Sequence, residues 1–262
     1  MMHALETYAA NYAHFAKLTR QSGILTIQFH TSDQSWELMG ETRDLLPDLF
    51  IDIAHDRENR VVVITGTGTE FCATLNPESL QRELGGWGAD VADRWRFGGN
   101  HAVRKMLEIE APVILCLNGA LLQHAEIWMS ADIVLAAPEA TVQDFHIAGG
   151  QVPGGDASVV WETLLGHSRA KYFLLTGQIL TAQELHQWGI VHELCDRTAL
   201  LDRAQELATK FTGLNRHVLR YAKASVTERL RRNLAMEQPY TQALVMLGAQ
   251  SAVPELLAQL QP

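Results

Sequence analysis

The chain has 262 residues, of which 47% are apolar and 19% are charged, and its formal net charge is −9. These values are typical of a folded globular protein, and the acidic balance disfavours binding to the phosphate backbone of nucleic acids. The three cysteines form no CxxC pair, which argues against a disulfide framework or a structural zinc site. No apolar run approaches the ~20 residues of a membrane span. We therefore expect a cytoplasmic protein without a bound metal and without a nucleic-acid or membrane partner.

Apolar runs and helical spacing alternate along the first two thirds of the chain. Strands are predicted at 23–30, 60–68, 111–119, 132–138, 140–144 and 190–194. Helices are predicted at 43–55, 90–109, 124–131, 157–165, 170–176 and 182–187, and the chain is predicted to be helical from about 198 onward. Alternation of this kind predicts an α/β architecture with a core over 1–200 and a helical C-terminal region over 201–262.

A stretch rich in glycine and tryptophan, "GGWGADVADRWRFGGN" at 85–100, is predicted to form a mobile flap on the substrate side. Aromatic side chains are candidates for lining an apolar substrate pocket. The candidates are Trp36, Trp87, Trp95 and Phe145.

The segment "QDFHIAGGQVPGGDASVVW", residues 143–161, contains two Gly-Gly pairs and a Val-Pro, so it cannot be one helix or one strand. The chain must reverse between His146 and Asp156. Asp156 is placed either to cap the helix predicted from Ala157 or to act beside His146. Asp144 is predicted to be a strand-end residue paired with the backbone.

Three stretches in register resemble the crotonase (enoyl-CoA hydratase/isomerase) superfamily. They are "RVVVITGTGTEFCA", "APVILCLNGALLQHAEIWMSADIVLAAPEATVQ" and "LLTGQILTAQELHQWGIVHELCD". The resemblance implies a crotonase-like spiral of ββα units that forms two roughly perpendicular sheets. It also implies C-terminal trimerisation helices, and therefore a homotrimer or a dimer of trimers. Two backbone amides would stabilise an enolate, one from Leu75 and the other from Gln123 or His124.

Within the superfamily, the chain is most similar to the branch of 6-oxocamphor hydrolase and related β-diketone hydrolases. The similar segments include "DREN", "HAEI", "VPG", "VVW" and "YFLLTGQ". The resemblance implies hydrolysis of the C–C bond of a cyclic or bulky β-diketone without an organic cofactor. His146 would activate water, Asp156 would bond the far ring nitrogen, and His124 would help to hold the enolate. Glu126 is a further catalytic candidate that also fits as a polar residue in the first turn of a helix.

Two other functions stay open. The first is a CoA-dependent hydratase, isomerase, thioester hydrolase or dehalogenase. Bulky residues in "QSWELMG", "ATLNP" and "LQHAE" argue against it, because they should narrow the slot for a pantetheine arm. The second is a trimeric binding protein without chemistry, which a lack of any pocket between His146 and Asp156 would support.

Overall fold

The β-branched runs of the sequence form the central strands of a six-stranded sheet. A computed structural model describes residues 4–97 and 101–259. The strands are β1 (Ala16–Gln21), β2 (Ile24–Phe29), β3 (Glu37–Leu38), β4 (Val61–Gly66), β5 (Thr74–Leu75), β6 (Val113–Leu117), β7 (Ile133–Ala136), β8 (Thr141–Gln143), β9 (Ile179–Thr181) and β10 (Glu193–Leu194). The sheet order is β1-β2-β4-β6-β7-β10, with β1 antiparallel to β2 and the other pairs parallel.

Helices cover both faces of this sheet, which explains why β4 and β6 are buried along their whole length. The helices are α1 (Leu5–Tyr12), α2 (Gly40–His55), α3 (Pro77–Gly85), α4 (Ala89–Phe97), α5 (Ala102–Leu107), α6 (Ala125–Met129), α7 (Asp156–Leu165), α8 (His167–Thr176), α9 (Ala182–Gln187), α10 (Arg197–Thr212) and α11 (Arg216–Gln259). On one face, Leu200, Ala204 and Ala208 of α10 pack against β4 and β6.

A second, irregular layer consists of two short strand pairs. The pair β3–β5 is parallel and the pair β8–β9 is antiparallel. Single bridges from Cys72 to Leu121 and from Leu121 to Val142 join the two pairs. The result is an α/β crotonase fold with mixed sheets, as the resemblance implies. The helix predicted from 90 is divided into α4 and α5, and residues 98–100 lie outside the described residues.

The predicted flap at 85–100 contains a regular helix, α4. Val91 and Trp95 of α4 pack against Ala249 and Val253 of α11. The long helix α11 therefore reaches across the chain and covers one side of α4. Within the described ranges, 4–97 and 101–259, no helix is long and apolar enough to span a membrane.

A buried ion pair fixes the first half of α11 to the sheet. Lys223 Nζ lies 2.7 Å from Asp132 Oδ2 and donates to the Ala111 carbonyl at 2.9 Å. Asp132 also accepts the backbone N–H of Val113, at the start of β6. This single ammonium therefore connects α11 to the ends of two sheet segments.

Replacing Lys223 by methionine should lower the free energy of unfolding by about 3 kcal/mol, because it leaves the Asp132 carboxylate without its counter-charge. Urea titration followed by circular dichroism measures the change. Lys171→Met, at an exposed site on α8, is the matched control and should change stability by less than about 0.5 kcal/mol. Equal stability of the two variants would contradict this role for Lys223.

Candidate active site

A cavity of about 510 Å³ opens between the loop 145–151, the segment around Gln123 and helix α11. Several of the predicted site residues share its wall. These are Leu75, Trp95, Gln123, His124, Phe145 and His146. The structure therefore brings these residues, the two histidines among them, to one cavity.

The chain segments after β4 and after β6 are joined tightly, and this junction positions one side of the cavity. Asn118 Oδ1 accepts the backbone N–H of Gly66 at 3.1 Å, and its Nδ2 donates to the Gly68 carbonyl at 3.1 Å. Gly119 allows the closest approach, since an added Cβ would lie 1.9 Å from the Thr69 carbonyl oxygen. No larger residue could take this position without moving the loop that leads to Leu75.

The backbone N–H groups at this junction differ in whether they are free to donate a hydrogen bond to a ligand. The Gln123 N–H donates to the Cys72 carbonyl at 3.3 Å, so it is already used within the protein. Asn76 N–H donates to Leu38 of the neighbouring strand, and alternation along the strand turns the Leu75 N–H the other way. His124 has a left-handed backbone, with φ of 47°, at the start of α6. Of the two predicted alternatives for the second amide, this geometry favours His124.

His146 is paired with Asp144, which corrects the expectation that Asp156 would bond its ring. Nδ1 of His146 lies 2.7 Å from Asp144 Oδ1, and the His146 backbone N–H donates to the same oxygen at 3.2 Å. The other oxygen, Oδ2, accepts the indole N–H of Trp161 at 2.9 Å. Asp144 is thus bonded mainly to side chains rather than to backbone, and it holds the ring with Nε2 as the remaining acceptor.

The pairing changes the proton affinity of the imidazole. Burial by itself would lower the pKa of His146, but the charge and hydrogen bond of Asp144, together with the charge of Glu126, raise it from 6.5 to about 9. Burial opposes ionisation of Asp144 as well, but the charge and hydrogen bonds of His146 leave the pKa of Asp144 below its usual value. The ion pair with Asp144 therefore favours the protonated form of the His146 ring.

A second histidine–carboxylate pair lies beside the first. His124 Nδ1 is 2.9 Å from Glu126 Oε1, and the rings of His124 and His146 are 5.6 Å apart with an edge-to-face angle of 83°. Glu126 is in the first turn of α6, as one of the two predictions has it, yet it is buried. Its other oxygen, Oε2, has no hydrogen-bond partner among the described residues.

Asp156 is buried and neither caps a helix nor bonds His146. It is the first residue of α7, and Gly155, with φ of 60°, precedes it at the N-cap position. Within residues 4–97 and 101–259, neither carboxyl oxygen of Asp156 has a hydrogen-bond partner. Burial and the charge of Glu126 raise the pKa of Asp156 well above its usual range, an effect that Arg104 only partly offsets. Burial therefore favours the protonated form of Asp156.

The four predicted pocket aromatics divide into two groups. Trp95 and Phe145 line the cavity. Trp36 does not, because it packs in the core against Phe29 and Trp128, with ring centroids 4.8 and 5.5 Å away. Its bulk therefore does not narrow a substrate slot. Trp87 packs edge-to-face on Trp95 at 5.0 Å and lies behind the wall rather than in it.

Sequence reasoning missed several residues of the site. Arg43 lines the cavity with its guanidinium 2.6 Å from Glu83 and 3.0 Å from Asp44. The Trp95 indole N–H donates to Glu83 as well. Gln242 of α11 also reaches the wall. Across the described residues, no group of three or more His, Cys, Asp or Glu side chains is arranged to hold a metal ion.

Comparison with known proteins places these observations in a family. The profile of the enoyl-CoA hydratase/isomerase family matches residues 19–251. A β-diketone hydrolase from the cyanobacterium Anabaena sp. PCC 7120, solved with (S)-3-oxocyclohexyl acetic acid, is similar in structure with a TM-score of 0.87. It is 34% identical in sequence, and the match covers 93% of this chain and 97% of that chain.

Curated relatives by sequence include enzymes named for CoA substrates. A 1,2-epoxyphenylacetyl-CoA isomerase from Escherichia coli is 26% identical over 189 residues, 72% of each protein. A short-chain-enoyl-CoA hydratase from Clostridium acetobutylicum is 30% identical over 162 residues, 61% of this chain and 60% of that protein. An enoyl-CoA hydratase/isomerase from Mycobacterium paratuberculosis shares the fold, with a TM-score of 0.85 at 20% identity over 94% of this chain and 98% of that one.

The ion pair of His146 and Asp144 should contribute stability that depends on pH. Because the pKa of His146 is raised in the folded state, its contribution is complete below pH 6.5 and is lost as the pH rises through about 9. The stability difference between the wild type and His146→Gln should therefore shrink between these values, as measured by urea unfolding. His167→Gln breaks an exposed pair with Glu162 and should show no such trend. A difference that stays constant from pH 6 to 9 would contradict the assignment.

Proposed function

Since the chain belongs to the enoyl-CoA hydratase/isomerase family, we propose that it is a hydrolase of that family that cleaves the C–C bond of a cyclic or bulky β-diketone. The observation that carries the proposal is the part-buried pair of His146 and Asp144 at the wall of the cavity. When its ring is neutral, His146 can take a proton from water, as general base catalysis of a hydrolysis requires. It also makes a purely non-catalytic binding protein the weaker alternative.

The ligand of the cyanobacterial relative supports the same chemistry. The relative's structure contains (S)-3-oxocyclohexyl acetic acid, a ring ketone that also carries a carboxylate. Adding water across one C–C bond of a bridged bicyclic 1,3-diketone yields a keto acid of this kind. The relative is 34% identical over most of both chains. Bridged bicyclic 1,3-diketones are therefore the first substrates to test with this protein.

In the proposed reaction, neutral His146 removes a proton from water through Nε2, and the oxygen attacks one carbonyl carbon. Asp144 orients the ring and stabilises the imidazolium that forms. The bond between the attacked carbon and the carbon that lies between the carbonyls then breaks. The bonding electrons pass into the second carbonyl, which becomes an enolate, and the attacked carbon becomes a carboxylic acid.

The enolate oxygen needs donors that are fixed in advance. We assign this role to the backbone N–H groups of Leu75 and His124, because the Gln123 amide is bonded to Cys72. The proton that His146 took from water then passes to the enolate carbon, which restores the neutral base. Burial raises the pKa of Asp156, but Asp156 is not among the described residues that line the cavity. Glu126 holds the His124 ring beside this oxygen.

The charges of the cavity favour an uncharged substrate. Arg43 is the one lysine or arginine that lines the described part of the cavity, and Asp44 and Glu83 already balance its charge. A diketone enters without a charge, whereas its keto acid product leaves as an anion. The second candidate function is turnover of an acyl-CoA thioester, which the names of the curated relatives favour.

The exposed apolar side chains of α11 support assembly as a homotrimer or a dimer of trimers. They include Val218, Tyr221, Val226, Met236, Tyr240 and Leu247. Apolar groups repeated along one helix are typical of a subunit contact. We place the reaction in a reducing cytoplasm because Cys72, Cys116 and Cys195 are free thiols.

The proposal is tested with bridged and 2,2-dialkylated cyclic 1,3-diketones beside enoyl-CoA and acyl-CoA thioesters, with the products followed by mass spectrometry. The wild type should convert diketones to keto acids heavier by one water. His146→Ala should reduce the rate by about 10²–10⁴-fold. His167→Ala, which removes an exposed histidine, should have no effect. Turnover of thioesters alone would contradict the proposal and leave the family assignment intact.

The rate should depend on pH through the base form of His146. Because the pKa of His146 is raised to about 9, kcat/KM should increase about tenfold per pH unit below that value. Asp144→Asn removes the charge that raises this pKa, so the inflection should move to lower pH while the maximum falls. Glu162→Gln, which alters the exposed carboxylate bonded to His167, is the control. An unchanged inflection in Asp144→Asn would show that another group is titrating.

A further inference from the structure

One polar side chain of the cavity wall has no role in the reaction described so far. Gln242 lies in the middle of α11, is 4% exposed and lines the cavity together with His124 and His146. Over the two described ranges of the chain, neither its Oε1 nor its Nε2 has a hydrogen-bond partner. A buried carboxamide without partners is costly to the folded protein, so its presence needs an explanation.

Gln238, one helical turn earlier on α11, is also buried but has a hydrogen-bond partner for its carboxamide. Gln238 is buried to a similar extent, but its Oε1 accepts a hydrogen bond from Arg104 of α5 at 2.8 Å. Arg104 also donates to the Leu234 carbonyl at 2.6 Å. Gln238 therefore helps to dock the helix, whereas the carboxamide of Gln242 has no hydrogen-bond partner among the described residues.

The backbone around Gln242 is held firmly against the turn that precedes Asp156. Thr241 Oγ1 donates to the Gly155 carbonyl at 3.1 Å. At Gly154 an added Cβ would lie 2.7 Å from the Thr241 carbonyl oxygen, so the two segments are in direct contact. The backbone that carries Gln242 is consequently held in place beside the cavity before a ligand binds.

We infer that Gln242 binds, through Nε2, the oxygen of the carbonyl group that water attacks, which is the oxygen that the Leu75 and His124 amides do not hold. This inference rests on the proposed function, because a β-diketone has two carbonyl groups that each need a donor. The Leu75 and His124 amides serve one oxygen, and the carboxamide serves the other. Oε1 remains free to accept a hydrogen bond from the attacking water. Gln242 thereby selects ligands with two suitably spaced carbonyls over ligands with one.

The test compares the binding of two ligands of the same shape, so it does not depend on turnover. The ligands are a bridged bicyclic 1,3-diketone and the monoketone of the same skeleton, measured by calorimetry in a His146→Ala background, in which hydrolysis should be slowed by about 10²–10⁴-fold. With Gln242 present, the diketone should bind about tenfold more tightly, the value of one well-formed hydrogen bond to a buried group. Adding Gln242→Met should remove most of this preference, and Gln242→Glu, which keeps the shape but loses the donor, should do the same.

Gln250→Met, at an exposed position of the same helix, is the matched control and should keep the full preference. Gln242→Met should also be at least as resistant to urea as the wild type, because it removes two unpaired buried polar atoms. A folded Gln242→Met protein that retains the diketone preference would overturn the inference, as would equal binding of both ligands when Gln242 is present. Failure of the wild type to form keto acid would count separately, against the proposed function.

Discussion

The side chain of Asp144 is the link on which the candidate site depends. One carboxylate oxygen receives the Trp161 indole N–H of α7, and the other receives both the ring and the backbone N–H of His146. A strand end, a helix and a glycine-rich loop are thereby held together by a single group. The same contacts orient His146 and make it a stronger base. Asp144 therefore contributes both to the packing of α7 against β8 and to the proposed chemistry of the cavity.

Several buried groups around this link carry a cost in stability. Asp156, Glu126 and Gln242 all have buried polar atoms without hydrogen-bond partners within the described chain. Polar groups without hydrogen-bond partners are rare in protein interiors. They occur mainly where a ligand or a water molecule supplies the missing hydrogen bond. Elsewhere the helix that carries Gln242 is anchored by ordinary pairs, such as Lys223 with Asp132. Stability and binding thus use different residues of the same helix.

The sequence was sufficient for the buried strands of the sheet, but it did not predict the edge strand β1 (Ala16–Gln21) or the pairing within the site. Continuous β-branched runs such as 60–68 could only be buried strands, and β4 is one. Strands of two or three residues, such as β3 and β9, leave no periodic pattern to detect. Asp144 and His146 are two residues apart, which was the available signal for their contact. The side of α11 that faces the cavity depends on tertiary packing, so no local pattern pointed to Gln242.

The account is tested most directly by measuring the protonation of His146 itself. Protein labelled with ¹⁵N in its histidines, compared with His146→Gln to assign the signal, gives the ring nitrogen shifts by NMR as the pH is raised. The account predicts an imidazolium through neutral pH that titrates near the value of about 9 set by Asp144. Titration of this ring at or below its ordinary pKa of 6.5 would show that Asp144 does not raise its basicity, and would contradict the role proposed for the pair.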